Sequence, residues 1–277
     1  ITSVILEILV NGLSIQSGND ATVALAEHVA GTEESFVGLM NKVAAELGMK
    51  RTHFVNSSGM PGEGHLTTAT DLATLTRALI NQYPQYYKYY SVKDYTWNKI
   101  KQGNRNILLY RDPSVDGVKT GHTESAGYCL IGSAKRDGMR LIAVVTGTDS
   151  KLARADMVQN LLNYGFRNYI TQEVYPAGKL IQNVDAYKAA SNTVAVESPE
   201  RISLTVPRRG DAELTQTVTI PDYVTAPVGR GQELGNIEFS VQGSSLGKYP
   251  LTAVADLPEG GIIDQLIGTV MIWIADF

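Results

Sequence analysis

Cysteine is nearly absent from this chain, with Cys129 alone among 277 residues. An intrachain disulfide is therefore excluded, and because Cys129 falls in an apolar, strand-like run it reads as a buried, inert thiol. Cysteine usage does not fix the compartment. An excess of positive charge is missing too: 24 Lys and Arg stand against 28 Asp and Glu, a net charge of −4. That balance gives no basic field for a polyphosphate backbone and argues against nucleic acid as a partner. The histidines, His28, His53, His65 and His122, are scattered, with no His-Glu-x-x-His and no cysteine partners, so neither a metal nor another cofactor is indicated. Val118 separates Gly117 from Lys119 and breaks the Gly-Lys step of a phosphate-binding loop. There is no internal repeat, no low-complexity tract and no basic, apolar leader, so any export signal has been removed or lies outside the sequence.

What is present is an ordinary globular composition, 43% hydrophobic and 19% charged, with room for one large domain or two smaller ones. Residues 1–16 are apolar from the first position without a cap, which reads as the middle of a domain with something upstream absent. Residues 20–31 have helical composition, with Asn19 or Asp20 placed to cap the start and Gly31 to end it. A second helix is predicted over 33–47, with Phe36, Leu39, Met40, Val43 and Leu47 on one face and Gly48 as its stop. A third begins near Thr68, where Leu72, Leu75, Leu79 and Ile80 keep the same period.

After a tyrosine-rich stretch (83–95) the period changes. Residues 115–120, 127–134 and 141–146 read as three strands, the last two joined through Asp137-Gly138, a hairpin signal, and together they predict an antiparallel meander. Helical spacing returns from Asp149, with Ala153, Met157, Leu161 and Leu162 as its apolar stripe. Helices, an antiparallel sheet and a covering helix make an α+β domain over 1–168. Over 169–258, alternating runs at 201–206, 215–220 and 237–241, split by Pro and Gly, predict a small all-β domain. Residues 259–277 end the chain as an amphipathic helix. Ile262, Ile263, Leu266, Ile267, Val270, Met271, Ile274 and Phe277 cover a broad face, Asp264, Gln265 and Thr269 lie opposite, and Trp273 is at the boundary. Two readings stay open for it: a helix lying in a membrane interface, or one packed on the β domain, which the lack of Lys and Arg on the polar face favours.

The chemistry-bearing stretch is 116–123, Asp-Gly-Val-Lys-Thr-Gly-His-Thr. As a strand end it presents the cation of Lys119 and the hydroxyl of Thr120 beside Gly121, which has no side chain to block an extended peptide pairing with the edge. Read alone, it is a Lys-Thr-Gly turn on a hairpin. Ser17-x-Asn19 adds a hydroxyl and an amide at a loop-to-helix junction, although a Ser-x-Asn by itself is equally a helix cap. The two in this order match the second and third signatures of penicillin-interactive serine enzymes.

Ile15-Gln-Ser-Gly-Asn-Asp-Ala21, Asn104-Arg105-Asn106 and the run from Val115 to Tyr128 resemble the D-alanyl-D-alanine carboxypeptidases of the low-molecular-mass penicillin-binding protein type, and the resemblance extends from about Ile15 to the C-terminus. It implies a penicillin-binding/β-lactamase-like domain and a serine peptidase that removes the terminal D-Ala of peptidoglycan stem pentapeptides through an acyl-enzyme. It also implies β-lactams as ligands and a periplasmic location, with the C-terminal helix on the inner-membrane surface. By the same resemblance Ser17 relays protons, Asn19 binds the substrate amide, Lys119 assists proton transfer, and Thr120 and Gly121 line the carboxylate end. The backbone N–H of His122 forms half of an oxyanion hole. Arg154 aligns with an arginine near the terminal carboxylate, where bidentate recognition suits a guanidinium, although an exposed helix arginine is an equal reading; Arg105 is a weaker candidate. The family's first signature, Ser-x-x-Lys, occurs only as Ser245-Leu-Gly-Lys248, inside the β region and with a glycine in it, so it cannot open a buried helix. Without that nucleophile no acyl-enzyme forms, and a non-catalytic wall-binding or scaffold protein is the alternative.

Overall fold

A computed structural model describes residues 5–208 and 213–275; the expectations for residues 1–4 and 209–212 and for Phe277 lie outside them. Contacts separate the chain into two units, Ile1–Arg167 and Asn168–Phe277.

The first unit begins with α1 (Leu6–Asn11), which runs into a π-helical turn over Gly12–Gln16 and stops at Ser17 in the left-handed region, φ 55° and ψ 47°. Helix α2 (Asn19–Ala30) follows. Its cap is Gly18, without a side-chain bond, rather than Asn19 or Asp20; the Asp20 carboxylate instead accepts the N–H of Ala21 at 2.9 Å, inside the first turn. Gly31, at φ 82°, ends it as expected. Thr32 caps α3 (Glu33–Glu46) by accepting from the Ser35 N–H, and Thr68 caps α4 (Ala69–Gln82) by accepting from the Asp71 N–H, each satisfying a free donor of its helix. On α3 only part of the predicted stripe is covered: Phe36, Met40 and Leu47 are half-buried while Leu39 and Val43 are exposed.

Two short turns, α5 (Pro84–Tyr87) and a 3-10 turn at Lys88–Ser91, lead to a hairpin that the sequence pattern did not reveal: β1 (Asp94–Trp97) and β2 (Ile100–Gly103). They are joined by Asn98 and Lys99, both at positive φ, the geometry of a two-residue hairpin turn. After α6 (Leu108–Arg111) comes the predicted meander, β3 (Val115–Thr123), β4 (Gly127–Arg136) and β5 (Met139–Thr148), in the order β3-β4-β5 with every pair antiparallel. Asp137 and Gly138, both at positive φ, make the β4–β5 turn. Helix α7 (Lys151–Asn168) covers the sheet.

The inward face of α7 is the predicted one only at Leu162. Ala155, Val158 and Leu162 are buried with Leu108, Leu109, Val115 and Leu130, whereas Met157 and Leu161 are exposed. Two contacts set that rotation. Gly132 on β4 leaves room for Val158, since a Cβ there would stand 2.4 Å from Val158 Cγ1. The Arg154 guanidinium reaches two strand carbonyls, which turns it inward as well. The unit is α+β.

The second unit carries strands β6 (Tyr169–Tyr175), β7 (Lys179–Tyr187), β8 (Thr193–Ser198), β9 (Ile202–Pro207), β10 (Leu214–Thr219), β11 (Tyr223–Thr225), β12 (Glu233–Val241) and β13 (Ser244–Ala253). A six-stranded sheet runs β10-β12-β13-β8-β7-β11, and β6 pairs with β9 in a second, two-stranded sheet. Strict alternation places Ile202, Leu204 and Val206 inside with Ile237, Phe239 and Leu251, while Ser203 and Thr205 face out. The last element is α8 (Ile262–Ala275).

Helix α8 touches its unit through its narrow polar side. Gln265 donates to the Lys188 carbonyl at 3.2 Å, and Gly268 approaches Lys188 so closely that a Cβ there would meet the Lys188 nitrogen at 2.4 Å. Ile263, Leu266, Ile267, Val270, Trp273 and Ile274 are exposed. The apolar face is therefore not the one packed on the β unit, as one of the two sequence readings had it. No described helix is long and apolar enough to cross a membrane.

Candidate active site

The site forms where three segments of the first unit meet. Ser17 lies between the π-helical turn and α2, its left-handed backbone held by Ser17 N–H to Leu13 O and Gly18 N–H to Gly12 O. A non-glycine residue in that region is uncommon and concentrates at functional sites, as do π-helical turns. Ile15, almost fully buried, anchors the turn from below. Gln16 ties it to the end of β2 by donating to the Gly103 carbonyl at 2.6 Å.

Arg105 is displayed by its neighbours. Asn104 and Asn106 are buried; Asn104 donates to Val92 O and accepts the Asn106 N–H, while Asn106 donates to Gly117 O of β3 and accepts the Leu108 N–H. With both flanking amides turned inward and each both donating and accepting a hydrogen bond, Arg105 is exposed, at a position fixed relative to β3. Strand β3 is an edge of its sheet, as the sequence implied, and it carries Lys119.

Lys119 Nζ donates to Ser17 Oγ and, at 3.0 Å, to its neighbour's carbonyl, Thr120 O. Burial, with the Arg105 and Arg154 guanidinium groups nearby, lowers its pKa from 10.5 to about 8. Desolvation and like charge both oppose the ammonium form, so this amine gives up a proton near neutral pH far more readily than a surface lysine. Such a shift in a cleft is a mark of proton-transfer chemistry.

Arg154 is nearly fully buried, not the exposed helix arginine of the alternative reading. One of its nitrogens donates to Gly121 O at 2.9 Å and to Cys129 O at 3.3 Å, holding the ends of β3 and β4 together, and burial pushes its pKa down. His122 stacks on Tyr128 with ring centroids 3.9 Å apart, and the Arg154 guanidinium lies over the same Tyr128 ring.

These groups line one cavity of about 850 Å³, which includes Ser17, Asn19, Lys119, Thr120, Gly121, His122, Arg105 and Arg154, every site residue read from the sequence. Sequence reasoning missed others there, among them Ser58, Met60 and Lys151. Ser58 and Met60 come from a loop shaped by Asn56, whose side-chain oxygen Oδ1 accepts from the N–H groups of Gly59 and Met60. Lys151 comes from the first turn of α7. Loop tips carry no period, so only the Asn-x-x-Gly turn chemistry at Asn56–Gly59 was there to be read. Cys129 also differs from expectation: it is half-buried and lines the cavity, because its place on β4 opposite Gly121 leaves one side without a covering side chain. Among the described residues no Asp or Glu lines the cavity, which presents Arg105, Lys119, Lys151 and Arg154 to whatever enters.

A profile of D-alanyl-D-alanine carboxypeptidases, peptidase family S11, matches residues 2–150, and a profile of the C-terminal domain of penicillin-binding protein 5 matches residues 169–259. The chain is 38% identical over 262 residues to the D-alanyl-D-alanine carboxypeptidase DacC of Escherichia coli, covering 94% of this chain and 66% of that protein. It is 36% identical over 271 residues to DacF of Bacillus subtilis, covering 96% and 69%. The crystal structure of penicillin-binding protein 5 from Haemophilus influenzae superimposes with a TM-score of 0.84 at 37% identity, over 93% of this chain and 76% of that one. The chain spans about two thirds of the length of the curated relatives it matches. The profile over the unit that holds Ser17, Arg105 and Lys119, together with relatives aligned across nearly the whole chain, establishes that this protein belongs to the D-alanyl-D-alanine carboxypeptidase family, peptidase S11.

Proposed function

We propose that this chain provides the substrate-binding and proton-relay half of a serine D,D-carboxypeptidase that removes the terminal D-Ala from peptidoglycan stem pentapeptides and is acylated by β-lactams. The observation that carries this reading is the hydrogen bond from Lys119 Nζ to Ser17 Oγ, made inside a cavity that, among the described residues, is lined by cations and no carboxylate. A carboxypeptidase must receive a free carboxylate, and the cationic cavity suits that anion. Arg105, exposed and without an ion pair among the described residues, is the group placed to receive it, with Thr120 lining the same cavity. Arg154, engaged with Gly121 O and Cys129 O, supports the strand from which the acceptor groups project.

In this mechanism a Ser-x-x-Lys serine attacks the penultimate carbonyl, and its proton passes through the Ser17 hydroxyl to the departing D-Ala nitrogen. Lys119, with its lowered pKa, supports the relay by accepting and returning a proton at Ser17. The His122 N–H stabilises the developing oxyanion and Asn19 binds the peptide amide. A titratable lysine bonded to a hydroxyl has no part in passive wall binding, which favours the enzyme over the scaffold alternative. The solved relatives include penicillin-binding protein D2 of Listeria monocytogenes in a cefotaxime-bound form, at 34% identity and a TM-score of 0.54.

The uncovered apolar face of α8 supports attachment to the periplasmic face of the inner membrane by lying in its interface. Intact-protein mass spectrometry after penicillin treatment tests the catalytic reading. The chain alone is expected to gain no adduct, because Ser245-x-x-Lys248 is in the β unit; a chain extended upstream through a Ser-x-x-Lys helix is expected to gain one and to release D-alanine. A stable adduct on the unextended chain overturns the assignment of the nucleophile, and none on the extended chain promotes the scaffold.

A further inference from the structure

The turn that carries Ser17 and the strand that carries Lys119 share few bonds of their own. Among the described residues, the Lys119–Ser17 bond is the one hydrogen bond that runs directly between residues 12–18 and β3. The other ties pass through a third segment, residues 103–106, Gly-Asn-Arg-Asn. Gln16 donates to the Gly103 carbonyl at 2.6 Å, the Arg105 N–H donates to the Ile15 carbonyl at 3.4 Å, and the Asn106 amide donates to the Gly117 carbonyl at 3.1 Å. Ile15 and Gln16 stand within two residues of Ser17, and Gly117 stands two residues before Lys119.

The segment is itself firmly held. The Asn104 N–H is shared between the Lys93 carbonyl at 2.6 Å and the Tyr110 hydroxyl at 2.9 Å, and the Asn104 amide donates to the Val92 carbonyl at 2.9 Å. Asn106, only 1% exposed, gives its N–H to the Asn104 side chain at 2.9 Å and accepts the Leu108 N–H at 3.2 Å. Buried amides must find partners in any fold, so burial alone accounts for the bonds of the two asparagines. Gln16 is different. It is half-buried and Gly103 is exposed, so water could serve both groups in place of their bond. A bond that burial does not demand, made where the π-helical turn meets this segment, fixes where the turn stands.

We propose that Gln16 and Asn106 are positioning residues for the proton relay: they clamp residues 103–106 at both ends as a strut that sets the Ser17 turn against β3 and keeps Lys119 within reach of Ser17. The inference rests on the Lys119–Ser17 pair being that relay. Neither residue lines the cavity, and each acts through the backbone, Gln16 by way of Gly103 and Asn106 by way of Gly117. The strut also carries Arg105, whose charge acts on Lys119. Loosening it moves that guanidinium away and admits water beside the amine, and both changes favour the ammonium form.

The test follows the ε-nitrogen resonance of Lys119 against pH in the 277-residue chain. Wild type is expected to titrate near pH 8. Gln16→Met, which removes one amide at a half-buried position and keeps the fold, and Asn106→Ala are each expected to raise the midpoint by about 0.5 to 1 pH unit. Thr32→Ala destabilises the same unit by uncapping α3 and is expected to leave the midpoint where it is. An unchanged midpoint in either folded variant, or an equal rise in Thr32→Ala, overturns the strut while the relay stands. Where Asn106→Ala does not fold, Gln16→Met decides alone. A wild-type midpoint of 10.5 overturns the relay, and the strut with it.

Discussion

Lys119 Nζ and Ser17 Oγ are hydrogen-bonded although 102 residues separate them in sequence. The bond joins an edge strand to a left-handed residue at the end of a π-helical turn, two backbone features that each hold a side chain at the wall of one cavity. Removing either partner changes the environment of the other.

Lys119 is expected to titrate near pH 8, followed through its ε-nitrogen resonance. Burial lowers this pKa, and so do Arg105 and Arg154, so Arg105→Gln is expected to raise the midpoint. Between about pH 8 and 10.5 the unfolded chain holds a proton that folded Lys119 has lost. Stability therefore gains a contribution that grows with pH across that window, and Lys119→Met is expected to lack it. A midpoint at 10.5 in the folded protein would remove the proton-relay role.

Asp116, at the start of the same strand, accepts a bidentate pair of hydrogen bonds from Arg140, both at 2.7 Å, and another from the Tyr87 hydroxyl at 3.1 Å. Arg140→Met leaves a half-buried carboxylate without its counter-charge and is expected to cost about 1–3 kcal/mol in urea unfolding. Adding Asp116→Asn is expected to recover part of the loss, because the uncompensated charge goes with it. Equal destabilisation by the single and double variants would show that the charge pair is not what holds this end of β3.

Gly132→Ala tests the seating of α7. The added methyl would stand 2.4 Å from Val158 Cγ1, so the helix must move away from the sheet, at an expected cost of about 1–3 kcal/mol. Val158→Ala in the same background frees the space and is expected to return part of it. A Gly132→Ala protein with unchanged thermal stability would mean that α7 does not press on β4 as described.

Sedimentation with anionic vesicles, with and without the residues after Gly260, tests the role of α8. The full chain is expected to pellet with lipid and the shortened one to stay in solution. Equal partitioning would mean that the apolar face has another use.

The α+β character, the meander and the alternating strands of the second unit were legible in sequence because each rests on local period and turn chemistry: Asp137-Gly138 at its hairpin, Ile202, Leu204 and Val206 on one face. The β1–β2 hairpin was not, because Asn98 and Lys99 lack the Asn-Gly signature and the flanking residues are mostly exposed. The inward face of α7 escaped for a different reason: its rotation is set by Gly132 and by two strand carbonyls, neither of them on the helix.

For the site, sequence alone determined which chemical groups exist: the Ser-Gly-Asn and Lys-Thr-Gly runs, Arg105 between two asparagines, and the single cysteine. Only the tertiary structure decided what they do to one another. It placed Lys119 against Ser17 with its pKa lowered, turned Arg154 into a strand clamp, kept Arg105 exposed, put Cys129 and Lys151 in the cavity wall, and left the apolar face of α8 uncovered. The reason is physical. Residue identity and periodicity are local along the chain, whereas desolvation, like-charge repulsion and the pairing of buried donors depend on segments a hundred residues apart meeting in space.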